Sequence, residues 1–74
     1  MKLLEILEEM HPQFDFEASE DFFADGLIDS IDLTRLIAML EEKFAISISG
    51  EELIAENFKN LTALEALLSR HGVK

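Results

Sequence analysis

The sequence predicts an all-α fold, a small bundle of three longer helices and one short third helix, with a long loop between helices one and two. Apolar residues recur at three- and four-residue spacing in the segments assigned to helices. Only "AISIS", residues 45–49, alternates like a strand, and the chain offers no second strand to pair with it. We therefore interpret residues 45–49 as an extended linker.

The size and composition of the chain restrict its class. At 74 residues it is expected to form one domain, residues 1–74, and the absence of cysteine excludes disulfides and thiolate metal sites. Sixteen acidic and six basic residues give a net charge of -10, which disfavours nucleic acid and favours partners with basic patches. The apolar runs are too short for a signal peptide or a membrane span. We expect a monomer in the cytoplasm.

The first helix is predicted over residues 1–10 and ends before Pro12, which cannot continue it. Residues 13–29 keep no helical period. A connection this long in a small domain is either functional or held by its own apolar side chains. Four phenylalanines are expected to hold it: Phe14, Phe16, Phe22 and Phe23.

The second helix is predicted over residues 30–44, with Ser30 as its N-cap and Asp32 at the positive end of its dipole. On a helical wheel, one face is apolar and is expected to pack in the core: Leu33, Leu36, Ile37, Leu40 and Phe44. The opposite face is polar except for Ile31 and Ala38, and carries Thr34, Arg35, Glu41 and Glu42.

Two capping boxes predict the remaining helices. "SGEE" at residues 49–52 opens a short third helix, about 50–57, and "TALE" at residues 62–65 opens a fourth, about 62–70. Gly72 is a suitable helix stop.

The chain lacks the residues of a serine hydrolase. A serine nucleophile needs a base within hydrogen-bond reach, and the only histidines, His11 and His71, lie near the two ends of the chain. No glycine-flanked "GxSxG" turn is present. We predict a protein that is not an enzyme, whose histidines lie at helix C-termini.

A calcium loop is an alternative, because five residues fall on EF-hand positions: Asp21, Asp25, Gly26, Asp29 and Asp32. The third position of such a loop is Phe23, which has no side-chain oxygen, and the twelfth is an aspartate where the motif has glutamate. The pattern favours loose cation association over a specific site, and we predict no bound metal.

Ser30 allows two interpretations. An exposed serine at a helix N-terminus suits a covalently attached phosphate, because unpaired amides and the helix dipole favour an anion there. The same serine is equally explained as a plain helix cap.

The segment "DGLIDSIDLTRLIAMLEEKF", residues 25–44, resembles the second-helix signature of acyl and peptidyl carrier proteins. The later "ENFKNLTALEALL", residues 56–68, is similar to the third-to-fourth helix passage of that family, so the resemblance covers essentially the whole chain. It implies a four-helix acyl-carrier-like bundle and a serine that carries phosphopantetheine, with coenzyme A as donor.

By this resemblance Ser30 is the attachment site, and Asp29, Ile31 and Asp32 lie in the surface that a phosphopantetheinyl transferase reads. The transferase supplies the base and magnesium, and the working thiol belongs to the prosthetic arm. The implied function is to hold acyl or aminoacyl groups as thioesters and deliver them to separate enzymes in fatty-acid, polyketide, nonribosomal-peptide or D-alanyl transfer pathways.

The resemblance also implies that Glu41 and Glu42 face basic docking patches of partners, namely loading ligases and acyl-consuming enzymes. Arg35 departs from the fatty-acid carriers, which usually have an acidic residue there, and is more typical of peptidyl and aminoacyl carriers. It is equally explained by an ion pair with Asp32 one turn earlier. The competing hypothesis is a small acidic module that binds calcium or a protein, with Ser30 as a plain cap.

Overall fold

A computed structural model describes residues 2–73, apart from the side chain of Lys2, and confirms the all-α class. It contains three α-helices, α1 (Lys2–Met10), α2 (Ser30–Phe44) and α3 (Leu61–Arg70), and two short 3-10 turns at Gly50–Glu52 and Ala55–Asn57. Residues 2–73 include no strand, and residues 46–49 form a linker without regular structure, as predicted, but Ala45 belongs to the C-terminal cap of α2 and is not extended. Met1, which the prediction included in the first helix, lies outside the described residues.

Helix α1 packs against both α2 and α3 and closes the core. The buried face of α1 is the one that the apolar spacing predicted. Leu3, Ile6 and Leu7 are buried. The glutamates between and beside them are exposed: Glu5, Glu8 and Glu9. The rest of the core comes from α2, α3 and the segments that connect the helices: Phe16, Phe22, Ile28, Leu36, Leu40, Ile48, Phe58, Leu64, Leu67 and Leu68. Loop side chains are therefore as much a part of the core as helical ones.

The loop between α1 and α2 is held by its phenylalanines, as predicted. Phe16 and Phe22 are buried and meet edge to face, with ring centroids 5.2 Å apart, while Phe14 and Phe23 are partly buried at the margin of the core. The loop is also tied to the segment before α3: the Phe22 N–H donates to the carbonyl of Lys59 at 2.6 Å. A loop with these contacts is a fixed part of the fold.

The apolar face of α2 is the predicted one. Leu36 and Leu40 are buried, and Leu33, Ile37 and Phe44 pack against the core from its edge. The helix ends at Ala45, which adopts the left-handed conformation with φ 54° and donates its N–H to the carbonyl of Glu41.

The predicted third helix over residues 50–57 is not a continuous α-helix, and a count of four α-helices is not confirmed. The SGEE box is present in part, because the Ser49 N–H donates to Oε1 of Glu52 at 3.0 Å, but it opens only a 3-10 turn. Ile54 is extended, and the Asn57 amide donates to the carbonyl of Glu52 at 2.8 Å. A short segment with a β-branched residue and a side chain competing for backbone groups does not sustain an α-helix.

The last helix begins at Leu61, not at Thr62. Asn60 is its N-cap, and its Oδ1 accepts from the Ala63 N–H at 2.8 Å. The Asn60 amide also donates to the carbonyl of Glu20 at 2.9 Å, a contact from the loop that fixes this residue in the cap position. Gly72, with φ 81°, follows the helix end as predicted.

We expect Phe22→Ala to lower the free energy of unfolding by about 3 to 5 kcal/mol, because it leaves a cavity at the centre of the core. Urea denaturation measures this loss. Phe22→Leu keeps most of the apolar volume and should lose less. Phe23→Ala, at a partly buried position, is the matched control. A loss at Phe23 equal to that at Phe22 would contradict the assignment of Phe22 as the main anchor.

Candidate functional site

The N-terminus of α2 is capped by Asp29 and not by Ser30, so the predicted cap is wrong by one residue. Oδ1 of Asp29 accepts from the Asp32 N–H at 2.8 Å, and the Asp29 carbonyl accepts the first helical bond, from the Leu33 N–H, at 2.9 Å. The Asp32 side chain reaches back to the Asp29 N–H, with 3.4 Å between nitrogen and Oδ2. The two aspartates thus form a reciprocal capping box.

The preceding turn explains why Asp29 takes this position. The carbonyl of Phe22 accepts from the Leu27 N–H at 2.8 Å and from the Ile28 N–H at 3.3 Å, and Gly26 supplies the positive φ of 74° that the turn needs. Ile28 is buried, so the chain reaches Asp29 in an extended conformation with φ -107° and ψ -173°. This is the backbone geometry of an N-cap.

Ser30 is consequently the first residue inside the helix, and its side chain is exposed. Within residues 2–73 its hydroxyl has no hydrogen-bond partner, because the cap bond is made by Asp29. The backbone N–H groups of Ser30 and Ile31 likewise find no acceptor among the described residues. A free hydroxyl beside unpaired amides at the positive end of a helix is an arrangement that accepts a phosphate.

His11 lies immediately after α1 and contacts the first turn of α2. Its Nε2 is 3.0 Å from Oδ2 of Asp32, and only 14% of the Asp32 side chain is exposed. The two atoms are within ion-pair distance, although the ring N–H is not aimed along the line to the oxygen, so the contact is not a well-formed hydrogen bond. Burial by itself would raise the pKa of the Asp32 carboxyl, but His11, the Asp29 N–H and the charge of Arg35 together lower it below the ordinary 3.8.

A second pair joins the end of α3 to the first 3-10 turn. His71 caps the C-terminus of α3, and its Nε2 lies 2.7 Å from Oε2 of Glu52. The Ser49 N–H and the His71 ring lower the pKa of the Glu52 carboxyl below its ordinary 4.5. Both histidines therefore lie at helix C-termini as predicted, but their carboxylate partners were not apparent from the sequence.

The remaining predicted partner-binding residues differ in availability. Ile31, 70% exposed, and the exposed side chains of Arg35 and Glu42 extend from α2. Glu41 is partly buried, and its Oε2 accepts from the Ile48 N–H at 2.9 Å. Arg35 forms no ion pair with Asp32 or any other described residue, so the predicted Asp32–Arg35 pair is absent from the structure.

Two aspartates of the segment considered above as an alternative calcium loop make local hydrogen bonds. Oδ1 of Asp21 accepts from the N–H groups of Phe23 and Ala24 at 3.0 and 3.1 Å. Oδ2 of Asp25 accepts from the Ser19 hydroxyl at 2.5 Å. Among residues 2–73, no group of three acidic or histidine side chains is arranged to hold a metal ion.

Residues 2–68 match the family described as "phosphopantetheine attachment site", and the chain therefore belongs to this family. Its members are non-catalytic carriers that bear covalently attached phosphopantetheine and act with separate enzymes. Comparisons with curated proteins and with solved structures found no significant match. Within residues 2–73, no helix has the length and apolar character needed to cross a membrane.

We expect Asp29→Ala to lower the free energy of unfolding by about 1 kcal/mol, the usual cost of removing an N-cap side chain. Ser30→Ala should change it by less than about 0.5 kcal/mol, because the Ser30 hydroxyl makes no bond that the helix needs. Urea denaturation of the unmodified chain measures both. A larger loss at Ser30 than at Asp29 would mean that the cap is Ser30 after all.

Acid should weaken the fold through Asp32 and Glu52. Because folding lowers the pKa of each carboxyl, their stabilisation is complete above the ordinary values, 3.8 and 4.5, and is lost as the pH falls through the lower values of the folded chain. Urea denaturation at about pH 6 and about pH 3 measures how much unfolding free energy is lost in acid. The double variant Asp32→Asn/Glu52→Gln should lose less than the wild type. Glu65→Gln, at an exposed position on α3, should keep the wild-type loss.

Proposed function

We propose that Ser30 carries the phosphopantetheine arm, and that the chain holds acyl or aminoacyl groups as thioesters and delivers them to partner enzymes. The observation that carries this proposal is the exposed Ser30 hydroxyl, free of hydrogen bonds to the described residues at the N-terminus of α2. The family assignment supplies the class of modification. The pathway is one of fatty-acid, polyketide, nonribosomal-peptide or D-alanyl transfer.

The structure suits this modification because one residue caps α2 and a different residue is the proposed attachment point. Asp29 satisfies the cap bond, so a substituent on Ser30 removes no interaction from α2. The unpaired N–H groups of Ser30 and Ile31 favour an anion on the serine oxygen. When attached, the arm supplies the terminal thiol that this cysteine-free chain lacks. The proposed roles of the chain are to present Ser30, to stabilise the phosphate charge and to dock its partners.

A phosphopantetheinyl transferase is the proposed first partner, with coenzyme A as donor. In the reaction the Ser30 oxygen forms a bond to the phosphorus next to the pantetheine, the diphosphate bond breaks, and the nucleotide part of coenzyme A leaves. The serine proton goes to a base of the transferase, because the described residues provide no base bonded to the Ser30 hydroxyl. We propose that Asp29, Ile31 and Asp32, which surround Ser30 on the first turn, are the residues this enzyme reads.

The later partners are loading ligases and acyl-consuming enzymes. We propose that they contact the exposed side chains of Ile31, Arg35 and Glu42, while Asp29, Asp32 and Glu41 act through the field of a chain with net charge -10. A chain without cysteine needs no oxidising compartment, which suits a carrier that works as one domain, monomeric, in the cytoplasm.

The competing module with Ser30 as a plain cap has no support in the structure. Asp29 makes the cap bond, and the carboxylates assigned to a calcium loop accept local hydrogen bonds. The carrier function is therefore the one that the site supports best.

We expect one phosphopantetheine group to be added when the purified chain is incubated with coenzyme A, magnesium and a broad-specificity phosphopantetheinyl transferase. Intact mass measures the gain, and the starting mass shows any group already present. Ser30→Ala should gain nothing, whereas Ser69→Ala, another exposed serine, should gain one group like the wild type. Modification of a folded Ser30→Ala chain would refute Ser30 as the attachment residue.

A further inference from the structure

One line of side chains on α2 faces directly away from the core. Ile31, Arg35, Ala38 and Glu42 lie at positions i, i+4, i+7 and i+11, within a sector of about 60° on the helix. All four are exposed, and the buried Leu36 and Leu40 lie on the opposite side. We call these four residues the outer stripe of α2.

The outer stripe carries little of the acidity of the chain. Asp32 lies about 100° from Ile31 around the helix and is held by His11. Glu41 lies about 80° away on the other side and accepts from the Ile48 N–H. The charges that remain on the stripe are one cation, Arg35, and one anion, Glu42, although the whole chain has a net charge of -10.

Arg35 is also separated from the second cation of α2. Lys43 lies about 120° from Ile31 around the helix, and it borders a surface groove with Glu5, Ile6 and Glu9 of α1. Within residues 2–73 Arg35 forms no ion pair. Its guanidinium is thus presented at the centre of the stripe with its five donors available to a partner.

We propose that the outer stripe docks on a partner enzyme that presents a carboxylate opposite Arg35, and that Arg35 makes the chain reject uniformly basic docking surfaces. This inference rests on the proposed carrier function. The matching partner surface has an apolar recess for Ile31, the carboxylate about 6 Å along the helix from it, and a basic group for Glu42 about 10 Å further. Ala38 between the two charges permits close approach.

Charge complementarity is the physical reason. The net charge of the chain attracts any basic surface from a distance, so long-range steering alone does not select among basic partners. At contact, a cation in the middle of the stripe meets like charge on a uniformly basic patch and loses hydration without a partner. A carboxylate at that place restores the pairing, which makes Arg35 a residue that selects by repulsion as well as by attraction.

The test begins with loading. The wild type, Arg35→Glu, Arg35→Gln and Lys43→Glu are converted with coenzyme A and a broad-specificity transferase, and intact mass is recorded. Absence of modification on the wild-type chain would refute the proposed function. Thermal denaturation of each loaded chain confirms that it is folded before the partner assay.

The probe is an acyltransferase of fatty-acid synthesis chosen for a uniformly basic carrier-docking surface. Its kcat/KM at low ionic strength should rise about tenfold with Arg35→Glu, the effect of reversing one charge at about 6 Å in water, and by less with Arg35→Gln. Lys43→Glu reverses the same charge at a residue outside the outer stripe. Its increase in kcat/KM should be less than about a third of the increase for Arg35→Glu. Equal rises for Arg35→Glu and Lys43→Glu, or no rise for either, would overturn the inference.

A charge swap tests the carboxylate itself. Basic residues of the acyltransferase docking surface are changed to glutamate one at a time. At one position kcat/KM should rise about tenfold for the wild-type chain and fall by a similar factor for Arg35→Glu. If no position favours the wild-type chain in this way, the proposed carboxylate partner is refuted while the loading result stands.

Discussion

The anchoring of Phe22 is the interaction on which the rest of the structure depends. Its ring is fully buried against Phe16, its N–H bonds to Lys59, and its carbonyl accepts from Leu27 and Ile28. One residue thus joins the long loop to the core, to the segment before α3 and to the turn that leads into α2. In so small a chain the helices alone bury too little apolar surface, so a loop that enters the core is needed for stability. The same residue fixes the direction from which the backbone reaches Asp29 and Ser30, the proposed attachment residue.

That direction separates two tasks that the sequence places side by side. Aspartate and serine are comparable N-caps, and the sequence leaves either residue able to start the helix. With Ile28 buried and Asp29 extended, the aspartate caps and the serine hydroxyl is left without a role in folding. The proposed prosthetic group on Ser30 would add an anion to a helix end that favours one, without removing a stabilising bond. The helix cap and the proposed modification therefore depend on different side chains of the same turn.

The acidity of the chain is distributed by its internal contacts. His11 contacts Asp32, His71 contacts Glu52, and the Ile48 N–H donates to Glu41. Asp32 and Glu41 lie off the outer stripe of α2 and are engaged in these contacts, so the stripe itself keeps one arginine and one glutamate. A strongly acidic protein can in this way attract partners from a distance by its net charge and still discriminate among them at contact by a nearly neutral surface.

The sequence by itself determined the helical class, the bounds of α2, its core face, the phenylalanines of the loop and the serine to examine, because these follow from local periodicity and residue chemistry. Only the tertiary structure decided the caps at Asp29 and Asn60, since each depends on contacts of the loop with distant parts of the chain. It likewise replaced the predicted helix over residues 50–57 by two 3-10 turns, and it paired His11 with Asp32 in place of Arg35. Periodicity specifies which face of a helix is buried, but which polar groups meet across the core is set by packing between residues far apart in sequence.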